Sequence, residues 1–265
     1  MDVPELADAA FLPKERLVRI FEVIELQGSA RVSDLARQFG TSLMTIRRDL
    51  TELEQKGLVV RTRGGVMLRK GILEDYEVDV RRRTHMEQKQ AIARTAVRLI
   101  KSGDTIALDA STTVVELAQL LVQLPLTDIT VVTNNFMVAN VVATSNIDLF
   151  FVGGRLRREA LSTVGSQAQT MLAQWTCAKS FVSGTGVDVE VGLMDSNPDE
   201  VGMKHLMLRN SVHRYLLADS SKLMRRAVTR VCPLTDFDAV ITDSGIDKAI
   251  RKIFEDSNIP LIVAD

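Results

Sequence analysis

The sequence predicts an α/β protein in two parts: an N-terminal winged helix-turn-helix, then a larger Rossmann-like domain on a mostly parallel sheet. Three observations carry this. Apolar residues recur at helical spacing in three short segments between Pro13 and Lys56, followed by two apolar stretches about Gly64-Gly65. From Asp104 on, apolar runs of strand length alternate with helical patterns, which implies parallel strands covered by helices on both faces. Charge divides at the same place: Lys14–Lys70 holds twelve Lys/Arg against seven Asp/Glu, whereas residues 71–265 hold twenty-one against twenty-four. A basic unit ahead of a mildly acidic one points to a nucleic-acid-binding module joined to something else. The expected divisions are a tail over 1–12, the winged helix-turn-helix over 13–69, a linker over 70–90 and the second domain over 91–265.

In the basic part, Leu17, Ile20, Phe21 and Ile24 lie on one face of a helix that starts at Pro13, where a missing N–H costs nothing, and stops at Gly28. Ala30-Arg31-Val32 reads as a short strand, with Ser33 as N-cap of a second helix ending at Gly40. Thr41-Ser42 caps a third helix over 43–56, closed by Gly57, with Leu43, Ile46, Leu50 and Leu53 as its core stripe. Its other face carries Met44, Thr45, Arg47 and Arg48, side chains suited to base edges and phosphates in a major groove. The hairpin about Gly64-Gly65 is the wing, and Arg61 and Arg63 beside its tip are placed for flanking backbone or minor groove. Together with Ser42, these residues are the expected DNA contacts. Taken singly, each arginine would be read as a solvated surface group; the ordered set argues for double-stranded DNA.

Within the linker, Arg81-Arg82-Arg83 reads as a solvated segment or helix face. A helix carrying Ile92, Ala96 and Leu99 follows and ends near Gly103. Seven runs then read as buried strands: TIALD, ITVVT, DLFFV, KSFVS, HRYLLAD, DAVIT and IPLIVA. Ligands of such sheets bind beyond the carboxyl ends of the strands, and there the chain turns polar. TIALD leads into Asp109, Ser111, Thr112 and Thr113 at a helix start, where free N–H groups and hydroxyls suit a phosphate. The other strand ends lead into Thr133-Asn134, Gly153-Gly154, Gly184, Ser220-Ser221-Lys222 and Asp243. Several polar strand ends on one sheet edge imply a shared pocket. Glu200 and Lys204 stand four apart on one helix face, either as a surface ion pair or as part of that pocket.

The segment from Arg16 to Val66 resembles the N-terminal domain of the DeoR family of bacterial transcription regulators. The match rests on Ser42-x-x-Thr45-Ile46-Arg47-Arg48-Asp49-Leu50, then Leu53, Gly57 and Arg63-Gly64-Gly65. Asp49 is expected to hold one of the two preceding arginines by a charge-assisted hydrogen bond. Thr41 stands where the family usually has a small apolar residue. The second domain resembles the family's C-terminal sensor at the Asp109–Thr113 loop, Thr133-Asn134, Gly153-Gly154, Glu200-x-x-x-Lys204 and Asp219-x-Ser221-Lys222. Ser111 replaces a glycine often found in that loop. The resemblance implies a fold similar to ribose-5-phosphate isomerase and CoA transferases, and a phosphorylated sugar or related metabolite as effector. Asp109, Ser111, Thr112, Thr113, Thr133, Asn134, Gly153, Gly154, Gly184, Glu200, Lys204, Asp219 and Lys222 are the expected effector residues.

These readings converge on a DNA-binding regulator, most simply a repressor of a sugar or polyol catabolic operon, acting as a homo-oligomer, with no metal or cofactor. The alternative is an isomerase-like enzyme carrying a DNA-binding domain, with Glu200 or Asp109 as base. RNA binding is disfavoured because the winged segment lacks aromatic residues for stacking on single strands. No run approaches the roughly eighteen apolar residues of a membrane span, and the acidic start MDVPELADAA is unlike a secretory signal, so a cytoplasmic location is expected. Two cysteines, Cys177 and Cys232, make no disulfide framework and are expected to be buried and inert.

Overall fold

The computed structural model describes residues 12–68 and 78–265. They form two compact units, the first made by residues 12–68 together with Asp79–His85, the second chiefly by Met86–Asp265. In the first, α1 (Pro13–Gln27) buries Leu17, Ile20, Phe21 and Ile24 and ends at Gly28 with φ +73°. Strand β1 (Ser29–Arg31) leads directly into α2 (Val32–Gln38). Ser33 is therefore inside the first turn of α2 and not its cap. No side chain caps α2, and the backbone N–H of Val32, one of the helix's orphan donors, donates to the carbonyl of Gly64 at 3.1 Å. Helix α3 (Leu43–Gln55) is capped by Ser42, whose hydroxyl accepts from the N–H of Thr45.

Ile46, Leu50 and Leu53 of α3 are fully buried, each worth about 2 kcal/mol of apolar burial. Leu43, expected in the same stripe, is 49% exposed. Helical side chains lean toward the N-terminus, so a first-turn residue projects past the end of the packed stripe. The wing is the hairpin of β2 (Val59–Thr62) and β3 (Gly65–Leu68), and β3 lies between β2 and β1 in an antiparallel sheet. Gly64 turns it with φ +79°, and a Cβ on Gly65 would come within 2.8 Å of the Ala30 carbonyl oxygen. Of the stretch read as a linker, residues 70–77 lie outside the described residues, as does residue 69 before it. The remainder is largely helical, with α4 (Val78–Arg83) exposing Arg82 and Arg83. The N–H of His85, just after it, donates to Glu22 of α1 at 2.8 Å.

The second unit opens with α5 (Met86–Val97) and then alternates. In chain order come β4 (Thr105–Leu108), α6 (Thr112–Leu121), β5 (Thr130–Thr133), α7 (Phe136–Val142) and β6 (Asp148–Phe151). A hairpin of β7 (Arg155–Arg157) and β8 (Ser162–Val164) precedes α8 (Ser166–Leu172) and β9 (Cys177–Val182). Next are β10 (Gly186–Asp188), β11 (Gly192–Asp195), α9 (Pro198–Arg209), β12 (Ser211–Leu217) and β13 (Thr229–Cys232). The last elements are β14 (Ala239–Asp243), α10 (Lys248–Asp256) and β15 (Leu261–Ala264). Seven strands form one parallel sheet in the order β15-β14-β12-β9-β4-β5-β6, and they are the seven runs read as strands, although the edge strands β6 and β15 are mostly half-buried rather than buried.

Alternation along each strand feeds two cores. Ile106, Leu108, Val131, Phe181, Leu217 and Ile241 pack against α5, α6 and α7, whereas Ala107, Val132, Val182, Leu216 and Val240 pack toward α8, α9 and α10. The antiparallel β10-β11-β13 sheet and the β7-β8 hairpin were not expected from the sequence. Their strands of three or four residues are too short to show a period. Among the described residues, no helix is long and apolar enough to cross a membrane.

Candidate functional site

In the first unit, α3 presents Met44 (72% exposed), Arg47 and Arg48 outward, with Thr45 half-buried beside them. The Ser42 hydroxyl is committed to the cap and to the Thr45 hydroxyl at 2.9 Å, so it organises the helix start. Arg61 is also committed: its Nη1 donates to the Arg47 carbonyl and to the Thr51 hydroxyl, each at 3.2 Å. It braces the wing strand on α3 rather than standing free at the tip, where Arg63 is exposed. Asp49 does not hold Arg47 or Arg48. It points inward, 4% exposed, and accepts from Nε of Arg16 at 2.6 Å and from its Nη2 at 3.3 Å. This pair ties α3 to α1 and raises the Arg16 pKa, chiefly through the hydrogen bond. The correction has a geometric cause: residue 49 lies on the buried stripe with Leu50 and Leu53, away from the face of 47 and 48.

In the second unit, the strand order reverses direction between β4 and β9, and such a switch point opens a crevice at the strand carboxyl ends. Asp109 follows β4 and Ser183 follows β9. The Asp109 carboxylate accepts from the N–H of Ser111 at 3.0 Å, from the N–H of Ser183 at 2.9 Å, and from the ammonium of Lys204. Lys204 also lies 3.5 Å from Asp195 and is 3% exposed. Burial pulls its pKa down, but Asp109, Asp195 and Glu200 outweigh that and hold it above the ordinary lysine range.

Glu200, one helical turn earlier, is equally buried and accepts from the Ser162 hydroxyl and from Arg157 at 3.3 Å. Glu200 and Lys204 are thus members of one buried charge network and not a surface pair. Around it, the Thr133 hydroxyl donates to the Leu108 carbonyl at 2.7 Å, and Asn135 caps α7 while reaching the Asp109 carbonyl. Ser111 caps α6, whose first turn contains Thr112 and Thr113, both buried.

Three groups at these strand ends are less committed. The Thr113 hydroxyl and the Asn134 side-chain carbonyl are buried with no hydrogen-bond partner among the described residues. Lys222, partly exposed, donates to the Ser183 hydroxyl at 3.1 Å and lies 3.8 Å from Asp219. Of the expected glycines, Gly153 and Gly184 are half-buried and Gly154 is exposed, in the turns after β6 and β9. A Cβ on Gly184 would meet Leu193 Cδ1 at 2.4 Å and the Met194 carbonyl oxygen at 2.5 Å, so this turn packs directly on β11. Sequence reasoning missed Arg157, Ser162, Ser183 and Asp195. They come from short strands and a strand end that carry no motif, and only contact with Asp109, Glu200 or Lys204 marks them. Among the described residues, no group of His, Cys, Asp and Glu is arranged to hold a metal ion.

Comparison with known proteins supports both units. Residues 16–70 match the DeoR-like helix-turn-helix domain, and residues 84–244 match the DeoR C terminal sensor domain. The chain is 36% identical over 249 residues to the HTH-type transcriptional regulator YulB of Bacillus subtilis, covering 94% of this chain and 95% of that protein. It is 33% identical over 237 residues to the lactose phosphotransferase system repressor of Staphylococcus epidermidis, covering 87% of this chain and 92% of that one. Among solved structures, ribose 5-phosphate isomerase A from Neisseria gonorrhoeae aligns with a TM-score of 0.40 at 14% identity, over 53% of this chain and 54% of that chain.

Proposed function

This chain belongs to the DeoR family of transcriptional regulators, and from that premise we propose that it represses a sugar or polyol catabolic operon under control of a phosphorylated sugar. The observation that carries the effector half is the switch point between β4 and β9. There Lys222 and two unpaired buried polar atoms, on Thr113 and Asn134, lie at the strand ends that also hold the buried Asp109–Lys204 pair. Buried polar atoms without partners are uncommon in folded proteins, and a ligand with hydroxyl and phosphate oxygens would satisfy them. In this arrangement Lys222, rather than Lys204, meets the phosphate, the Thr113 turn donates to it, and Asn134 takes a sugar hydroxyl.

We read the site as sensing rather than catalytic. Glu200 and Asp109, the carboxylates that proton transfer would need, are both held by cations and donors, and the family consists of regulators. On the DNA side, Met44, Thr45, Arg47, Arg48 and Arg63 form the reading surface, with Ser42 and Arg61 shaping it. A homodimer would set two such helices about 34 Å apart on successive major grooves. For the effector to act, it must bind two arrangements of the protein unequally, and coupling of about 1–3 kcal/mol suffices.

The test is binding of the full-length protein to a duplex of its own upstream region, with and without a panel of sugar phosphates. One member of the panel should release the duplex, and the corresponding unphosphorylated sugar should not. Duplex binding that no sugar phosphate changes would remove the effector half of this reading.

A further inference from the structure

Helix α9 faces two ways. Glu200 and Lys204 project into the buried network, whereas His205 and Arg209, one turn apart, project outward. Beside them lies a cleft of about 700 Å³, lined by His205, Arg209, Arg214 of β12, Arg230 of β13 and Asp236, with an apolar wall that includes Leu206 and Pro233. Three arginines from three separate elements thus line one concave surface, with Asp236 as the acidic residue among its lining. Arg209 and Arg230 are exposed, and neither forms an ion pair among the described residues. Among the described residues, the guanidinium of Arg214 reaches the backbone carbonyls of Ser211 and Asp236 alone, at 3.4 and 3.5 Å. The fields of Arg230 and Arg214 both reach the Cys232 thiol on the cleft wall, although burial and Asp236 push its pKa up to about 12.

An arginine at the end of a helix, or one on an exposed strand, needs no special account by itself. Three cations lining one cleft repel one another, and an anion entering it would relieve that repulsion. Guanidinium forks match phosphate oxygens in pairs, and the cleft volume falls in the range of small-molecule sites, about 300–1,000 Å³. We infer that this cleft is a second anion site, built for a small organic phosphate of at least two negative charges. It is separate from the strand-end site of the proposed effector. The apolar wall would receive the carbon portion, and Arg209, Arg214 and Arg230 the phosphate oxygens.

The probes are inorganic pyrophosphate and ADP, titrated calorimetrically into the full-length protein at constant ionic strength. At least one should bind saturably, and Arg209→Ala and Arg230→Ala should each weaken it by about tenfold or more. Lys222→Ala, which alters only the strand-end site, should leave that affinity within about twofold. Both arginines are surface residues, and unchanged thermal melts will show that their variants fold. The inference fails if neither probe saturates at millimolar concentration. It fails equally if the arginine variants bind as the parent does, or if Lys222→Ala abolishes the binding.

Discussion

The ammonium of Lys204 is hydrogen-bonded to Asp109, ninety-five residues earlier in the chain, at the point where the parallel sheet reverses its order. One carboxylate therefore joins the end of β4, the end of β9 and helix α9 through the N–H groups of Ser111 and Ser183 and through Lys204. This makes Lys204 part of the scaffold. Replacing it by Met should leave Asp109 and Asp195 buried without their cation and cost about 3–5 kcal/mol. Urea denaturation followed through Trp175, the single tryptophan, reports on this unit because its ring packs 4.5 Å from that of Phe150. Combining Lys204→Met with Asp109→Asn should cost less than the two changes summed. A Lys204→Met protein as stable as the parent would mean that the pair is dispensable.

Alkaline pH should destabilise the second unit. Burial raises the thiol pKa of Cys177 to about 11 and that of Cys232 to about 12, and Lys204 is also raised. A group raised in the folded state contributes stability that is complete below its unfolded pKa and lost as pH climbs toward the folded value. Melting temperature should therefore fall steadily from about pH 9 to pH 11, and a Cys177→Ala/Cys232→Ala protein should show a shallower fall. Equal slopes for the two proteins would contradict the thiol assignment.

Arg48 and Arg61 should affect DNA binding in different ways. Arg48→Ala should cost about 1–3 kcal/mol if the side chain reads a base, and lower the salt slope by about one if it holds a phosphate. Arg61→Ala removes the brace between wing and α3, so it should weaken binding with the salt slope unchanged. Fluorescence anisotropy at several salt concentrations separates these outcomes, and a reduced slope for Arg61→Ala would place that side chain on phosphate.

The Arg16–Asp49 pair should set the stability of the first unit. Asp49→Ala leaves a nearly buried guanidinium without its partner and should cost about 2 kcal/mol. A double-mutant cycle with Arg16→Ala should return a coupling of about 0.5–3 kcal/mol by thermal melting. Zero coupling would show the pair to be incidental.

At the strand ends, Thr113→Val removes an unpaired buried hydroxyl. The protein should be as stable as the parent or more so, yet lose its response to the sugar phosphate. Lys222→Ala should also lose the response while binding the duplex normally in the absence of effector. Parent-like release of the duplex by both variants, at parent-like effector concentrations, would place the effector elsewhere.

Much of this was written locally. Strand runs such as TIALD and KSFVS, the apolar period of α1 and Ser42 before α3 are patterns within a few residues, where backbone geometry and side-chain spacing decide the element. The winged helix-turn-helix and the seven-stranded parallel sheet could therefore be anticipated, together with the polar residues at the strand ends. Which side chains meet could not. Asp49 found Arg16, thirty-three residues away, rather than its neighbours Arg47 and Arg48. Glu200 and Lys204, adjacent on one helix, took separate partners, Arg157 with Ser162 for the first and Asp109 with Asp195 for the second. Tertiary packing alone brought Arg209, Arg214 and Arg230 to one cleft. An ionic partner is chosen by distance and desolvation in the folded state, and neither quantity is a function of sequence separation.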